Sequence, residues 1–206
     1  MAELEKLKMY VNGEFVEGQS GEYFESFNPF TGRPWCLVPR GNMNDVERAV
    51  AAAKMAFNFG EWPKINATGR GRLLRRLGAL VEKNAEKLAE IEVKDNGKLI
   101  AEMGMQLKYV PQWYYYFGGL ADKIEGAVLP IDKAEHFTYT THEPLGVIGM
   151  IIPWNSPLLL VAWKLAPALA AGNTVVIKPS EFTSASVLEF VKLVEEAGFP
   201  NGVVNV

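Results

Sequence analysis

Residues 144–179 read PLGVIGMIIPWNSPLLLVAWKLAPALAAGNTVVIKP, and this stretch decides the fold. A run of β-type apolar residues over 147–152 is followed by a helical pattern, which Pro157 opens at its first turn and Gly172 ends. A second β-rich run follows at 175–177. This order of strand, helix and strand predicts a β-α-β unit whose strands are parallel and joined by a right-handed crossover.

Polar residues follow both predicted strands. Asn155 comes after the first strand, and Lys178 and Glu181 come after the second. Ligands of open parallel sheets bind where strands end at the carboxyl edge. A carboxamide there can donate N–H groups to an oxygen that becomes negative when a carbonyl is attacked, although an asparagine that only satisfies turn backbone is the alternative. The lysine and the glutamate suit ribose hydroxyls, with a surface ion pair as the alternative.

The motif P-W-N-x-P, followed some twenty residues later by G-N-x-V-V-x-K-P-x-E, resembles the aldehyde dehydrogenase superfamily. The resemblance runs from about residue 10 to residue 206. It implies an α/β fold, namely a Rossmann-like parallel sheet with flanking helices plus a β-hairpin oligomerisation arm. Residues 1–122 and 143–206 would form the N-terminal part of an NAD(P)-binding domain, and residues 123–142 the arm. Because the chain ends inside an apolar strand, we expect it to be truncated, with the catalytic domain absent.

The resemblance also implies roles for individual residues. Asn155 corresponds to the catalytic asparagine that stabilises the oxyanion. Cofactor-binding positions fall on the two strand ends, at Ile151, Ile152, Pro153, Trp154, Lys178, Pro179, Ser180 and Glu181. Plain strand core is the alternative for the first four, Ile151 in particular. NAD is the expected cofactor because the Glu181 carboxylate would repel a 2′-phosphate, but NADP is compatible with the same lysine.

Three residues match the substrate pocket of the family, namely Tyr109, Ser156 and Trp163. Ser156 is a departure, since the family commonly has an aromatic residue there, and a smaller side chain would widen the pocket for a bulky aldehyde. The implied reaction is NAD(P)-dependent oxidation of an aldehyde to a carboxylic acid. Its cysteine nucleophile and glutamate base are expected after residue 206, so we expect the chain alone to be inactive. The alternative function is a stand-alone dinucleotide-binding or interaction module without catalysis.

Composition excludes several other functions. The chain has 206 residues, 49% of them apolar and 22% charged, and a net charge of −3. These values are typical of an ordinary soluble globular protein and offer no basic surface for nucleic acid or an anionic membrane. We therefore expect a small-molecule partner, a cytoplasmic location and no membrane association. The resemblance adds an expected homodimer or homotetramer for the full-length form.

The single cysteine, Cys36, rules out an internal disulfide and a cysteine-cluster metal site, so we expect no metal. Because it lies in a predicted strand far along the chain from His136 and His142, we expect it to be structural. Asn12-Gly13 predicts a hairpin, and the strand near 35–38 is expected, like the hairpin, at an edge of the main sheet. A helix is expected to begin at Asn44 as its cap.

A second, leucine-rich helix follows over about 70–83. Its arginines are expected to form a solvated face, because no aromatic residues alternate with them in a pattern typical of nucleic-acid binding.

Overall fold

The computed structural model describes residues 4–206. The strands within that range are β1 Glu5–Lys6, β2 Met9–Val11, β3 Glu14–Val16, β4 Tyr23–Asn28, β5 Arg33–Pro39, β6 Val128–Leu129, β7 Thr138–Tyr139, β8 Val147–Ile151, β9 Thr174–Lys178 and β10 Val204–Asn205. The helices are α1 Met43–Asn58, α2 Ala67–Lys83, α3 Ala85–Asn96, α4 Ile100–Tyr109, α5 Pro111–Leu120, α6 Pro157–Ala170 and α7 Ala185–Ala197, with a short 3₁₀ turn at Trp62–Lys64.

A parallel sheet of order β10-β9-β8 forms the centre of the fold. Ile151 at the end of β8 lies opposite Lys178 at the end of β9, so the two strands finish at the same edge. Helix α6 connects β8 to β9, with Pro157 in its first turn, and α7 connects β9 to β10. The predicted β-α-β unit is confirmed, and so is the α/β class with flanking helices.

The N-terminal strands divide between two places, so the prediction that all of them lie at an edge of the main sheet is partly wrong. The β2–β3 hairpin turns at Asn12 and Gly13, whose positive φ angles of 54° and 81° suit an Asn-Gly turn. Its Tyr10 exchanges backbone hydrogen bonds with Val206 at 3.0 and 2.8 Å, which places the hairpin beside the parallel sheet. Strand β5, in contrast, forms a separate sheet of order β1-β5-β4.

Helix α1 begins two residues earlier than predicted. Asn42, rather than Asn44, is the N-cap, and its side chain accepts hydrogen bonds from the amides of Asn44 and Asp45. The Asp45 carboxylate accepts a hydrogen bond from the Asn42 amide at 3.0 Å, which completes a capping box. Asn42 and Asn44 both suit the cap position, and each has an acidic residue three positions later, Asp45 or Glu47, so the local pattern does not decide between them.

The core is formed mainly by α6 and α7 against the parallel sheet, with α2 packed beside them. Helices α2 and α5 approach closely at two glycines, since a Cβ atom at Gly71 would lie 2.4 Å from the Gly118 carbonyl oxygen. The expected solvated arginine face of α2 is partly wrong. Arg70 is half-buried and donates to the Ala170 carbonyl at 3.1 Å, and Arg75 donates to the Gly118 carbonyl at 2.6 Å. These two arginines satisfy carbonyls between helices.

Residues 123–142 contain the antiparallel pair β6–β7, as the predicted β-hairpin requires. Almost all residues of this segment are exposed, including Val128, Phe137 and Tyr139. The rings of Phe137 and Tyr139 contact each other with centroids 5.8 Å apart. The hairpin is thus present, and its use as an oligomerisation arm stays a prediction.

Candidate functional site

Two loops meet at the carboxyl edge of the parallel sheet. We call residues 152–156, between β8 and α6, the Asn155 loop, and residues 179–184, between β9 and α7, the Glu181 loop. The Ile152 amide donates to the Lys178 carbonyl at 3.0 Å, so hydrogen bonding between the strands continues to the start of both loops. The loops are neighbours because β8 and β9 are adjacent parallel strands.

The middle of the Asn155 loop is exposed. Asn155 is exposed, so its carboxamide is free to meet a ligand from solvent. Trp154 is 57% exposed and Ile151 is 76% exposed, whereas Ile152 is 1% exposed and belongs to the core. The strand-core alternative thus applies to Ile152 rather than to Ile151, because residues of a strand alternate between its two faces. Pro153 is exposed like Trp154.

The Glu181 loop carries an ion pair at its surface. Lys178 Nζ lies 3.2 Å from Glu181 Oε2, and both side chains are more than 60% exposed. A hydrogen bond from its own backbone amide, followed by the Lys178 ammonium, lowers the pKa of the Glu181 carboxyl. The carboxylate is therefore ionised at neutral pH and open to a ligand.

Ser180 holds the Glu181 loop together. It is buried, its carbonyl accepts from the Ser184 hydroxyl at 2.7 Å, and its own hydroxyl accepts from the Phe182 amide at 3.3 Å. Pro179 is half-buried beside it. These two residues shape the turn that carries Glu181.

Tyr109 and Trp163, two of the predicted pocket residues, come together through Trp113. The Trp113 ring lies edge-on to Tyr109 with centroids 6.5 Å apart, and edge-on to Trp163 with centroids 5.7 Å apart. Tyr109 is 59% exposed and Trp163 is 47% exposed. We call these three rings the aromatic row. Trp113 was not assigned to the pocket from the sequence.

Ser156, the third predicted pocket residue, does not join the aromatic row. Its side chain is buried, and its hydroxyl accepts a hydrogen bond from Lys98 Nζ at 2.9 Å and donates to Gln106 Oε1 at 3.3 Å. Lys98 and Gln106 were missed in the sequence because they lie about fifty residues before the loop they contact. The hydroxyl at position 156 therefore contributes to the support of the loop.

Two buried carboxyl groups on α3 lie behind the loops. Asp95 accepts hydrogen bonds from the Ser26 hydroxyl at 3.0 Å and from the Ser186 amide, in the first turn of α7, at 3.2 Å. Burial raises the pKa of Asp95 to about 6, and the hydrogen bonds oppose that rise.

Glu92 is 0% exposed, and neither of its oxygens has a hydrogen-bond partner among residues 4–206. Burial raises the pKa of Glu92 to about 8, while the Leu158 amide of α6 and the Lys98 ammonium oppose the rise from nearby.

An open cleft of about 830 Å³ lies between β4 and the Glu181 loop. Its lining includes Trp154 from one loop and Glu181 and Phe182 from the other. Within residues 4–206, no group of three or more histidine, cysteine, aspartate or glutamate side chains could hold a metal ion. In the same part of the chain, none of the helices has the length and apolar character needed to cross a membrane.

Comparison with known proteins identifies relatives over nearly the whole chain. The family model described as "Aldehyde dehydrogenase family" matches residues 15–206. A dehydrogenase of (Z)-2-((N-methylformamido)methylene)-5-hydroxybutyrolactone from Acinetobacter baylyi is 48% identical, over 98% of this chain and 41% of its own length. Human retinal dehydrogenase 2 is 45% identical, over 99% of this chain and 40% of its own length.

The solved structures give the same result. An aldehyde dehydrogenase from Bacillus cereus, solved as its NAD⁺ complex, superposes with a TM-score of 0.95 at 42% identity, covering 98% of this chain and 41% of that protein. The chain thus spans about two fifths of the length of these relatives. With a family match from residue 15 to residue 206 and close relatives in sequence and in structure, the chain belongs to the aldehyde dehydrogenase family.

Proposed function

We propose that this chain supplies the oxyanion donor and part of the cofactor site of an enzyme that oxidises an aldehyde to a carboxylic acid with NAD. One observation carries the proposal. The exposed Asn155 carboxamide and the exposed Lys178–Glu181 pair lie at the ends of neighbouring strands, on the same edge of the sheet. Membership of the aldehyde dehydrogenase family supports it, and the NAD⁺ complex of the Bacillus cereus relative supports the choice of cofactor.

Asn155 is proposed to act on the aldehyde oxygen. When a nucleophile attacks the carbonyl carbon, that oxygen gains negative charge, and a preorganised N–H donor stabilises it most at this moment. The carboxamide of Asn155 can donate such a bond because it is exposed. The loop is short and fixed at both ends, because β8 precedes it and α6 begins at Pro157 directly after it.

The nucleophile must come from outside these 206 residues if it is a thiolate. Cys36 is 0% exposed, and burial raises the pKa of its thiol to about 12. A thiol with so high a pKa is inert at neutral pH. Cys36 is therefore structural, and the residues that attack the aldehyde and activate water belong to another part of the enzyme.

Lys178 and Glu181 fit the ribose of a dinucleotide. An ionised carboxylate accepts hydrogen bonds from ribose hydroxyls, and the adjacent ammonium can donate to the same sugar. The Glu181 carboxylate would repel a 2′-phosphate, which favours NAD over NADP. Bound NAD supplies the acceptor for the hydride that leaves the substrate.

The aromatic row is proposed to contact the aldehyde tail. Tyr109 and Trp163 are half-exposed around Trp113, so they offer an apolar surface to a bulky substrate. For the full-length protein we propose a homodimer or homotetramer, supported by the exposed apolar side chains of the arm at residues 123–142. A cytoplasmic location stays a prediction from the sequence.

The test is aldehyde-dependent NADH formation by the full-length protein, comparing Asn155→Ala with Asn44→Ala. Loss of the oxyanion donor is expected to lower kcat by about 100-fold to 1,000-fold. Asn44→Ala, at an exposed position on α1, is expected to retain activity. Wild-type rates on cyclic and straight-chain aldehydes test the substrate. Full activity of Asn155→Ala would refute the oxyanion role, and preference for the shortest aldehyde would refute the bulky substrate.

A further inference from the structure

Helix α6 begins with a serine that does not cap it. Ser156 occupies the N-cap position, where a serine hydroxyl usually accepts a hydrogen bond from an amide of the first turn. In the described part of the chain its side chain makes no such bond. The hydroxyl is instead bonded to Lys98 Nζ and to Gln106 Oε1, at 2.9 and 3.3 Å. The start of α6 is therefore held by side chains from outside the helix.

Lys98 reaches this position from a well-defined turn. Gly97 ends α3 with a left-handed φ of 72°, and the Lys98 amide donates to the Asn96 side chain at 2.9 Å. The Lys98 side chain is half-buried, so its stem packs against protein while its ammonium meets the serine hydroxyl. The lysine thus joins the end of α3 to the start of α6.

The position of Ser156 determines the position of Asn155. The two residues are consecutive, and the buried Ser156 side chain is the nearest point at which the loop is tied to the core. Exposed Asn155 has β8 on one side and this tie on the other. An oxyanion donor acts only within hydrogen-bond distance of the reacting oxygen, so a shift of about 1 Å is enough to weaken it.

We propose that Lys98 is a positioning residue, which holds the Asn155 loop through the Ser156 hydroxyl so that the Asn155 carboxamide faces the reacting carbonyl. The catalytic consequence rests on the proposed role of Asn155. The positional consequence does not, because the conformation of the loop can be observed without turnover.

The experiment compares Lys98→Met, Lys98→Arg, Ser156→Ala and the double variant with the control Lys83→Met. Methionine keeps a long apolar stem without the ammonium, and Lys83 is an exposed lysine at the end of α2. In the full-length protein, isotope-labelled at asparagine, NMR follows the side-chain amide resonances of Asn155. We expect Lys98→Met and Ser156→Ala to shift these resonances, Lys98→Arg to restore them in part, and Lys83→Met to leave them unchanged.

Turnover by the full-length protein gives the second measurement. Lys98→Met is expected to lower kcat by about 10-fold to 100-fold, with the KM for NAD unchanged, because only the donor geometry is lost. If Lys98 acts through Ser156, adding Lys98→Met to Ser156→Ala lowers kcat no further. A residue that only stabilises the fold would change the unfolding midpoint without moving the Asn155 resonances or separating kcat from KM.

Three outcomes are decisive. Wild-type resonances and kcat in Lys98→Met, when Asn155→Ala is inactive, would overturn the inference and leave the proposed function intact. Full activity of Asn155→Ala would instead overturn the proposed function. If Lys98→Met fails to fold, Ser156→Ala decides, because unchanged Asn155 resonances in that variant would show that the hydroxyl does not position the loop.

Discussion

The Asn155 loop and the Glu181 loop are supported in the same way but with different electrostatics. Each is followed by a helix whose N-cap serine makes no capping bond within residues 4–206, Ser156 for α6 and Ser184 for α7. Each helix start instead faces a buried carboxyl group of α3. Glu92 lies near the first turn of α6, and Asp95 bonds to the first turn of α7. One helix therefore places a buried carboxyl group behind each loop, on two side chains one turn apart.

The difference lies in how each carboxyl group is satisfied. Asp95 accepts hydrogen bonds from Ser26 and Ser186, and its pKa rises only to about 6. Glu92 has only the nearby Leu158 amide and no hydrogen bond of ordinary geometry within residues 4–206, and its pKa rises to about 8. At neutral pH Asp95 is mostly ionised, whereas Glu92 is mostly protonated. The comparison shows that hydrogen bonds, rather than burial alone, decide whether a buried carboxyl group can act as an anionic helix cap.

The largest expected effect concerns Glu92 and pH. Its folded-state pKa of about 8 lies above its ordinary value of 4.5, so within this range the folded chain binds a proton that the unfolded chain releases. Stability therefore falls as pH rises from about 4.5 to about 8. Glu92→Gln stays neutral, so its stability relative to wild type is expected to rise by up to roughly 5 kcal/mol between low and high pH. Chemical denaturation at several pH values measures it.

Glu90→Gln serves as the matched control, because Glu90 is an exposed glutamate on the same helix. It should leave the pH dependence as in wild type. Equal stability of wild type and Glu92→Gln from pH 5 to pH 9 would contradict the raised pKa. It would mean that the folded chain solvates the Glu92 carboxylate as well as water does.

A smaller effect is expected for Asp95→Asn. The pKa of Asp95 rises from 3.8 to about 6, so its contribution to stability is lost as pH rises across a lower and narrower window. Asparagine keeps an acceptor for the Ser186 amide and removes the charge. Up to about pH 6, we expect wild type to lose up to roughly 3 kcal/mol more stability than Asp95→Asn, and the loss between pH 6 and pH 8 to remain in the variant.

The same denaturation series separates the two carboxyl groups. If the stability of Asp95→Asn no longer depended on pH above pH 6, the higher pKa would belong to Asp95 and the lower one to Glu92. The Asp95 charge also raises the pKa of Glu92. In Asp95→Asn the stability should therefore stop falling at a slightly lower pH than in wild type.

The comparison also shows what could be predicted from sequence. The β-α-β unit was predictable because apolar periodicity and proline punctuation are local, and the positions of Asn155, Lys178 and Glu181 at one sheet edge followed from parallel topology. The separate β1-β5-β4 sheet was not predictable, because strand pairing depends on distant partners. The cap of α1 was missed by two residues because both asparagines suit the position and both are followed three residues later by an acidic residue, Asp45 or Glu47.

The sequence contains an indication of the two buried carboxyl groups behind the loops that the sequence analysis did not use. Glu92 and Asp95 fall on the apolar face of α3 together with Leu88, at helical spacing. Acidic residues at such positions are rarely buried without a partner, so they indicate a long-range contact. The groups that lie next to them could not be named, because Leu158 and Ser186 are far along the chain. The hydrogen bond from Lys98 to Ser156 could not be predicted from sequence either, because a lysine after a glycine cap usually faces solvent.

The smallest effect on stability is expected at the exposed ion pair of the Glu181 loop. Lys178 and Glu181 are both more than 60% exposed, and such pairs contribute little because water and salt screen them. Lys178→Gln and Glu181→Gln should therefore leave the unfolding midpoint unchanged. Their expected effect is on the cofactor, because the paired groups are proposed to bind the ribose.

Calorimetric titration of the full-length protein with NAD and NADP tests this contrast. Glu181→Gln removes the charge that repels a 2′-phosphate, so the preference for NAD should fall by about tenfold, whereas Lys178→Gln should weaken both cofactors. Lys192→Gln, on α7, is the control for an exposed lysine paired with a glutamate three residues away. Unchanged selectivity in Glu181→Gln would mean that the pair is only a surface ion pair. The Glu181 loop would then differ from the Asn155 loop in function as well as in electrostatics.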